Sequence, residues 1–189
     1  LRLMRRKLGR VPRSIVFPRN QVAAPYVQVC GEAGLVAYRG NRDAWAYRSR
    51  AYAEESPVRR AVRLADAYLP LTGPGARQPR AAAPGEPVDV TASRYLRPYA
   101  PSLRRLERLR LHRITADLRR AARNGAVFHL WWHPHDFGVH LRENLEGLTR
   151  VLRAFVALRE RHGMLSLTMA EAAAHVRAAG MPDRMARAS

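Results

Sequence analysis

One apolar run of seven residues, 126–132, sits between two long helical patterns with only short connections on either side. No other feature restricts the fold as much. Before it, residues 102–123 carry Leu103, Leu106, Leu111, Ile114, Leu118 and Ala121 on a helical period and stop at Asn124-Gly125, a pair suited to a helix C-cap. After it, residues 139–162 repeat Leu141, Leu145, Leu148, Leu152, Phe155 and Leu158 at spacings of four and three, closed by Gly163. We expect these leucines to face the core. A strand held this closely between helices belongs to a parallel α/β layer.

The front of the chain has the same grammar. Residues 14–17 read as a buried strand stopped by Pro18, whose end delivers Arg19 and Asn20. A helix over 22–33 follows, with Val22, Tyr26, Val29 and Cys30 apolar and Gly34 as its stop, and then a strand over 35–39 ending at Gly40-Asn41. Ser56 before Pro57 marks the start of a helix to about residue 68. The Pro- and Gly-rich stretch 70–87 cannot build a packed element and is expected to be a mobile loop. Residues 88–91 form a short strand, 95–101 a turn-rich connection and 165–167 a last strand, while Thr168 with Glu171 makes a capping box for a terminal helix. The class is therefore α/β with a mainly parallel sheet, read as one domain over 1–189.

Charge raises a different possibility. Thirty-four basic against 15 acidic residues leave +19, and Lys7 is the sole lysine. Arginine grips phosphate well, so nucleic-acid binding is the first function class to weigh. The arginines are nevertheless scattered over every segment, with Arg104, Arg105, Arg108, Arg119, Arg120, Arg123, Arg150, Arg153, Arg159 and Arg161 on expected helix surfaces. They lack the interleaved aromatics of a single-strand binder, so no nucleic-acid partner is expected. Cys30 stands alone, which excludes an intrachain disulfide and a Cys-based zinc cluster. The apolar run 126–132 is far too short to span a bilayer, so no transmembrane segment is expected. The chain reads as soluble as written, with cytoplasm and cell envelope both open. It opens on Leu1 rather than Met, so we expect a fragment.

Chemistry gathers where the run 126–132 ends. Side chains alternate along a strand, so His129, Trp131 and His133 share one face and Leu130 and Trp132 the other. Strand C-terminal ends build the sites of parallel α/β folds, and His133, His135 and Asp136 lie at such an end. A histidine there can donate a proton near neutral pH, with Asp136 holding the imidazolium. His129, deeper in the strand, reads better as a hydrogen-bonded core residue. Trp131 and Trp132 either fill core volume or stack on a sugar ring. His133-x-His135 has a spacing that can reach one zinc ion, but two ligands are too few for a site.

Three segments, Ser14-Ile15-Val16-Phe17-Pro18-Arg19-Asn20, Gly34-Leu35-Val36-Ala37-Tyr38-Arg39-Gly40-Asn41 and Phe128-His129-Leu130-Trp131-Trp132-His133-Pro134-His135, resemble in order and spacing the later part of polysaccharide deacetylases with the NodB homology domain, carbohydrate esterase family four. The resemblance implies an incomplete (β/α) barrel lacking its N-terminal strands. In such proteins a divalent metal, typically zinc, activates water against an acetyl group on an amino sugar of a glycan. It implies His133 as the catalytic acid, Trp131 in the acetyl pocket and Arg19 orienting the base; beside these, His135, Asp136 and Asn20 are expected as substrate contacts from their places at strand ends. Pro18 here precedes Arg19, whereas the family has arginine before proline. The family's Asp-Asp pair and His-x-x-x-His segment have no counterpart before Ser14, so this chain alone is expected to hold no metal and to be inactive. Two rivals stand beside that expectation: a non-catalytic carbohydrate-binding relic using Trp131, Trp132 and Tyr38, and an Arg-rich nucleic-acid binder.

Overall fold

A computed structural model describes residues 2–48, 56–73, 75–77, 79, 83 and 85–179. In chain order its elements are α1 (Arg2–Leu8), β1 (Ser14–Ile15), α2 (Ala24–Glu32), β2 (Ala37–Tyr38), α3 (Pro57–Asp66), β3 (Val88–Asp89), β4 (Arg94–Tyr95), α4 (Glu107–Arg123), β5 (Leu130–Trp131), α5 (Leu141–His162) and α6 (Met169–Ala179). Where the sequence reads as one domain, the chain divides into two compact units. Described residues within Leu1–Asn41, Pro79–Thr91 and Ser166–Ser189 form one, and those within Arg42–Gln78 and Ala92–Leu165 form the other.

In the first unit β1, β2 and β3 lie side by side in that order and run parallel, with Ser14 opposite Ala37 and Ala37 opposite Val88. α2 makes the crossover from β1 to β2, as the short connections require. Its inward face differs from the expected one. Cys30 is buried with Phe17 and Leu35, against which Ile15, Val22, Val27 and Tyr38 pack, while Tyr26 and Val29 are exposed. Thr168 and Glu171 form the expected reciprocal cap of α6, Glu171 N–H donating to Thr168 Oγ1 at 3.3 Å and Thr168 N–H to Glu171 Oε2 at 2.7 Å. α6 lies against β2 and buries Ala172 and Ala173. The sequence reading had no element corresponding to α1.

The second unit is helical, with one parallel strand pair, β4 against β5, in the register Arg94 opposite Leu130 and Tyr95 opposite Trp131. Only Leu130–Trp131 of the run 126–132 forms a strand, with Val127 in an antiparallel bridge to Arg77. β4 falls partly in the stretch read as a turn-rich connection, and 165–167 is unpaired rather than a last strand. Leu165 and Leu167 are exposed, and among the described residues no strand pairs with them. Ser56 caps α3 as expected, accepting from Arg59 N–H at 3.2 Å.

α4 packs on α5 over a core of Leu96, Leu111, Ile114, Leu118, Phe137, Val151 and Leu158. Each such side chain contributes roughly 1.5–3 kcal/mol by leaving water. The helix before residue 107 is a 3-10 turn, Pro101–Leu106, and Leu106 is exposed. α5 buries Leu158 and packs Leu148 and Phe155 against this core as expected, but along the rest of its length Asn144, Gly147 and Val151 are buried while Leu141, Leu145 and Leu152 are exposed. The cause is polar. Asn144 accepts from Tyr99 N–H at 2.6 Å and donates to the Val139 carbonyl at 2.9 Å, so an amide outranks the leucines in choosing the buried stripe.

The ten arginines expected on helix surfaces are all exposed. Others are not, and they make the second unit's most connected polar group. Asp66, fully buried at the end of α3, accepts from Arg42 Nη1 at 2.9 Å, Arg94 Nη1 at 3.0 Å and Arg113 Nη2 at 2.8 Å. It also accepts from the Tyr47 hydroxyl at 2.8 Å and from Thr72 through N–H at 2.9 Å and Oγ1 at 2.8 Å. Asp117 on α4 takes Arg94 Nε at 2.6 Å and Gly75 N–H at 3.2 Å. A Cβ on Gly75 would lie 2.5 Å from the Ser93 carbonyl oxygen, so only glycine lets the chain pass this close to β4. The stretch 70–87 thus forms no helix or strand among its described residues, yet Thr72, Gly73 and Gly75 are tied into this network.

Burial pushes the Asp66 carboxyl up, but the hydrogen bonds from Thr72 and Tyr47 and the Arg113 charge outweigh it, so its pKa lies below the usual value. Burial, then Asp66 itself, pushes the Tyr47 hydroxyl to about 12. A depressed carboxylate contributes stability that is fully present above its unfolded pKa, near 3.9, and is lost as pH falls through the lower folded value. Asp66→Asn is expected to destabilise the protein by about 3–5 kcal/mol at pH 7, because it strands buried guanidinium charge. Urea unfolding of both proteins at pH 7 and pH 3 checks this: the gap between them should narrow at pH 3.

Candidate functional site

The end of β5 brings four of the expected site residues together. Trp131 stacks on Tyr95, its register partner across the strand pair, with ring centroids 4.4 Å apart and planes 27° apart. His133, two residues on and therefore on the same face, turns its edge to both rings, at 5.4 Å from Trp131 and 6.0 Å from Tyr95. A 3-10 turn over Pro134–Phe137 then folds the chain back. It lays His135 parallel to His133 at 5.2 Å. The expected alternation holds: Trp132 goes to the other side and stacks on buried Phe137 at 6.0 Å. Trp131 and His129 are half-buried, and His133 and His135 are exposed.

Asp136 does not hold His133 as expected. Its carboxylate accepts from the Tyr95 hydroxyl through Oδ2 and lies 3.3 Å from His135 Nε2 through Oδ1. The 3-10 turn sets this pairing, because it carries Asp136 past His133 toward β4. Burial, followed by the hydrogen bond to Asp136, raises the Tyr95 pKa above the usual tyrosine range, so the phenol stays a donor. Tyr95 was missed from the sequence, since it lay in a stretch read as turns. The available signal was the strand alternation of Ser93-Arg94-Tyr95-Leu96, disguised by an arginine that proves to be buried.

Arg19 and Asn20 belong to the other compact unit, in the 3-10 turn Pro18–Asn20 that follows β1. Asn20 has a φ of 55°, a left-handed conformation that asparagine tolerates better than most residues. Its Oδ1 accepts from Arg39 Nε at 3.1 Å and Nη2 at 2.5 Å, and its carbonyl accepts from Asn41 Nδ2 at 2.6 Å. The turn after β1 is therefore bound to the end of β2. A Cβ on Gly40 would lie 2.0 Å from Asp89 Oδ1 on β3, so a larger residue there would push the Asp89 carboxylate aside. Tyr38, offered as a sugar platform, instead packs edge-on to Phe17 at 6.2 Å in the small core. Burial and then Asp89 push its hydroxyl to about 12.

Among the described residues, no three His, Cys, Asp or Glu side chains converge to hold a metal ion. No helix there is long and apolar enough to cross a membrane. Comparison with family models, curated proteins and solved structures finds no match to this chain.

The Asn20 turn yields a direct test. Asn20→Ala should lower stability by about 1–3 kcal/mol, since alanine resists the left-handed backbone and removes the two hydrogen bonds that Asn20 Oδ1 accepts from the half-buried Arg39. Asn20→Gly should cost less, because it loses the acceptor alone. Chemical denaturation of the two variants measures both effects.

Proposed function

We propose that this chain is the C-terminal part of a polysaccharide deacetylase-like domain, an incomplete (β/α) barrel without its N-terminal strands, and that the end of β5 binds an acetylated amino sugar of a cell-envelope or exported glycan. The observation that carries this reading is the stacked Tyr95–Trp131 pair with the exposed His133 and His135 beside it. An indole edge and face at a strand end suit the C–H face of a pyranose, and the imidazoles beside it suit its polar rim. The resemblance of the three sequence segments supplies the substrate class.

In this reading His133 is the acid that protonates the departing amine, and its exposed ring, with no carboxylate upon it, suits a group that must give up a proton. Trp131 faces the acetyl methyl, His135 and Asp136 contact the sugar, Asn20 is a further substrate contact, and Arg19 takes the base-orienting role carried over from the family. Water activation belongs in that family to a zinc-type metal and its base. The sequence before Ser14 has no Asp-Asp pair or His-x-x-x-His segment, so no hydrolytic step is assigned to this chain, and it is expected to release no acetate alone. The aromatic pair also favours a second reading, a carbohydrate-binding module of the same fold with no catalysis.

Titration with N-acetylglucosamine oligosaccharides, followed by tryptophan fluorescence, tests the shared claim. Saturable binding that is insensitive to salt is expected, with Trp131→Ala weakening it tenfold or more. Turnover in an acetate-release assay with added zinc would refute the inactive-chain claim. Steeply salt-dependent binding to a single-stranded oligonucleotide, without any sugar response, would replace the whole reading by nucleic-acid binding.

A further inference from the structure

We propose that Tyr95 is the positioning residue of the β5 site: its hydroxyl anchors Asp136 and its ring backs Trp131, and together these contacts hold His133 and His135 as a stacked pair on the ligand side. The ligand's identity rests on the sugar-binding reading above, whereas the geometry does not.

The contacts form a closed circuit. Tyr95 and Trp131 are opposite each other in the β4–β5 ladder, so the backbone places their rings on one face. From that position the phenol O–H donates to Asp136 in the Pro134–Phe137 turn, 41 residues further along the chain. Asp136 then meets His135, His135 stacks on His133, and His133 returns its edge to Tyr95 and Trp131. The far end of the turn is fixed by Phe137, buried in the core and stacked on Trp132. β4 and β5 are two residues each, so strand pairing alone gives the turn little support. The Tyr95 hydroxyl supplies the link from β4 to the turn.

The circuit also divides the two histidines. With one Asp136 oxygen taking the phenol and the other facing His135, the carboxylate is turned to those two groups, and among the described residues no ion pair joins His133 to a carboxylate. Arg97 also borders this circuit, its guanidinium 5.9 Å from the centre of the Tyr95 ring. Tyr95 itself contacts Trp131, Asp136 and His133. It sets where the imidazoles are.

Tyr95→Phe isolates the hydroxyl, because the ring and its stacking remain. In ligand-free protein, the His133 and His135 ring carbon-proton signals in NMR spectra should be displaced from free-histidine positions by the neighbouring rings. In Tyr95→Phe both should move toward free-histidine positions while the Trp131 indole signal keeps its shift; Tyr95→Leu should move all three. Asp136→Ala cuts the same link from the other side and should reproduce the Tyr95→Phe pattern, which serves if that variant does not fold. Sugar affinity should fall about fivefold or more in Tyr95→Phe with the unfolding midpoint held. Histidine signals that stay in place in both Tyr95→Phe and Asp136→Ala overturn the proposal. Histidine signals that move as expected, in a protein whose wild type gives no sugar response, support Tyr95 as the positioning residue and sink the sugar reading instead.

Discussion

The second unit depends on one buried carboxylate. Asp66 gathers α3, α4, β4, the chain entering at Arg42 and the backbone near Thr72 around two oxygen atoms. Three guanidiniums, Arg42, Arg94 and Arg113, face two carboxylates, Asp66 and Asp117, so the cluster keeps one positive charge in excess. The strain falls on Arg113, whose pKa is lowered by burial and then by Arg94, and whose Nε is buried without a partner. Such a cluster gains little net energy over an apolar core, because removing the charges from water offsets their attraction. Its effect is directional: each bond accepts one geometry, whereas leucine contacts tolerate several.

What the sequence made legible follows from what each signal measures. Local chemistry was readable: the Ser56 and Thr168–Glu171 caps and the β1–α2–β2 crossover involve neighbours in sequence. The faces of helices were less so. Apolar period placed Leu141, Leu145 and Leu152 inside, but Asn144, tied to Tyr99 from 45 residues away, turned α5 onto another stripe. Charge misled in the same way. Arg42, Arg94 and Arg113 are buried because acceptors from distant segments meet them, and nothing within a few residues announces those partners, whereas Arg110 joins the Arg97 carbonyl to Glu107 one helical turn away.

The candidate site divides likewise. Trp131, His133, His135 and Asp136 were found because strand alternation and a strand-ending proline place them, and these are one-segment properties. Tyr95 and the true partners of Asp136 were not, since they depend on which strand lies beside β5. Arg19 and Asn20 were chosen by their place after β1. The structure adds the reason that place is built: a left-handed asparagine whose side chain receives the Arg39 guanidinium.

The separations within the Asp66 network carry a kinetic consequence. Its bonds from Arg42, Arg94 and Arg113 span 24, 28 and 47 residues. Closing loops of that length precedes any reward from the bonds that close them, and a guanidinium stripped of water before its acceptor arrives is a barrier in itself. The network therefore completes late, after α3 and α4 exist as helices. Interactions made after the rate-limiting step govern how slowly a protein comes apart rather than how fast it assembles. In this chain the same few charges that contribute little to equilibrium stability act as a latch on the lifetime of the folded unit.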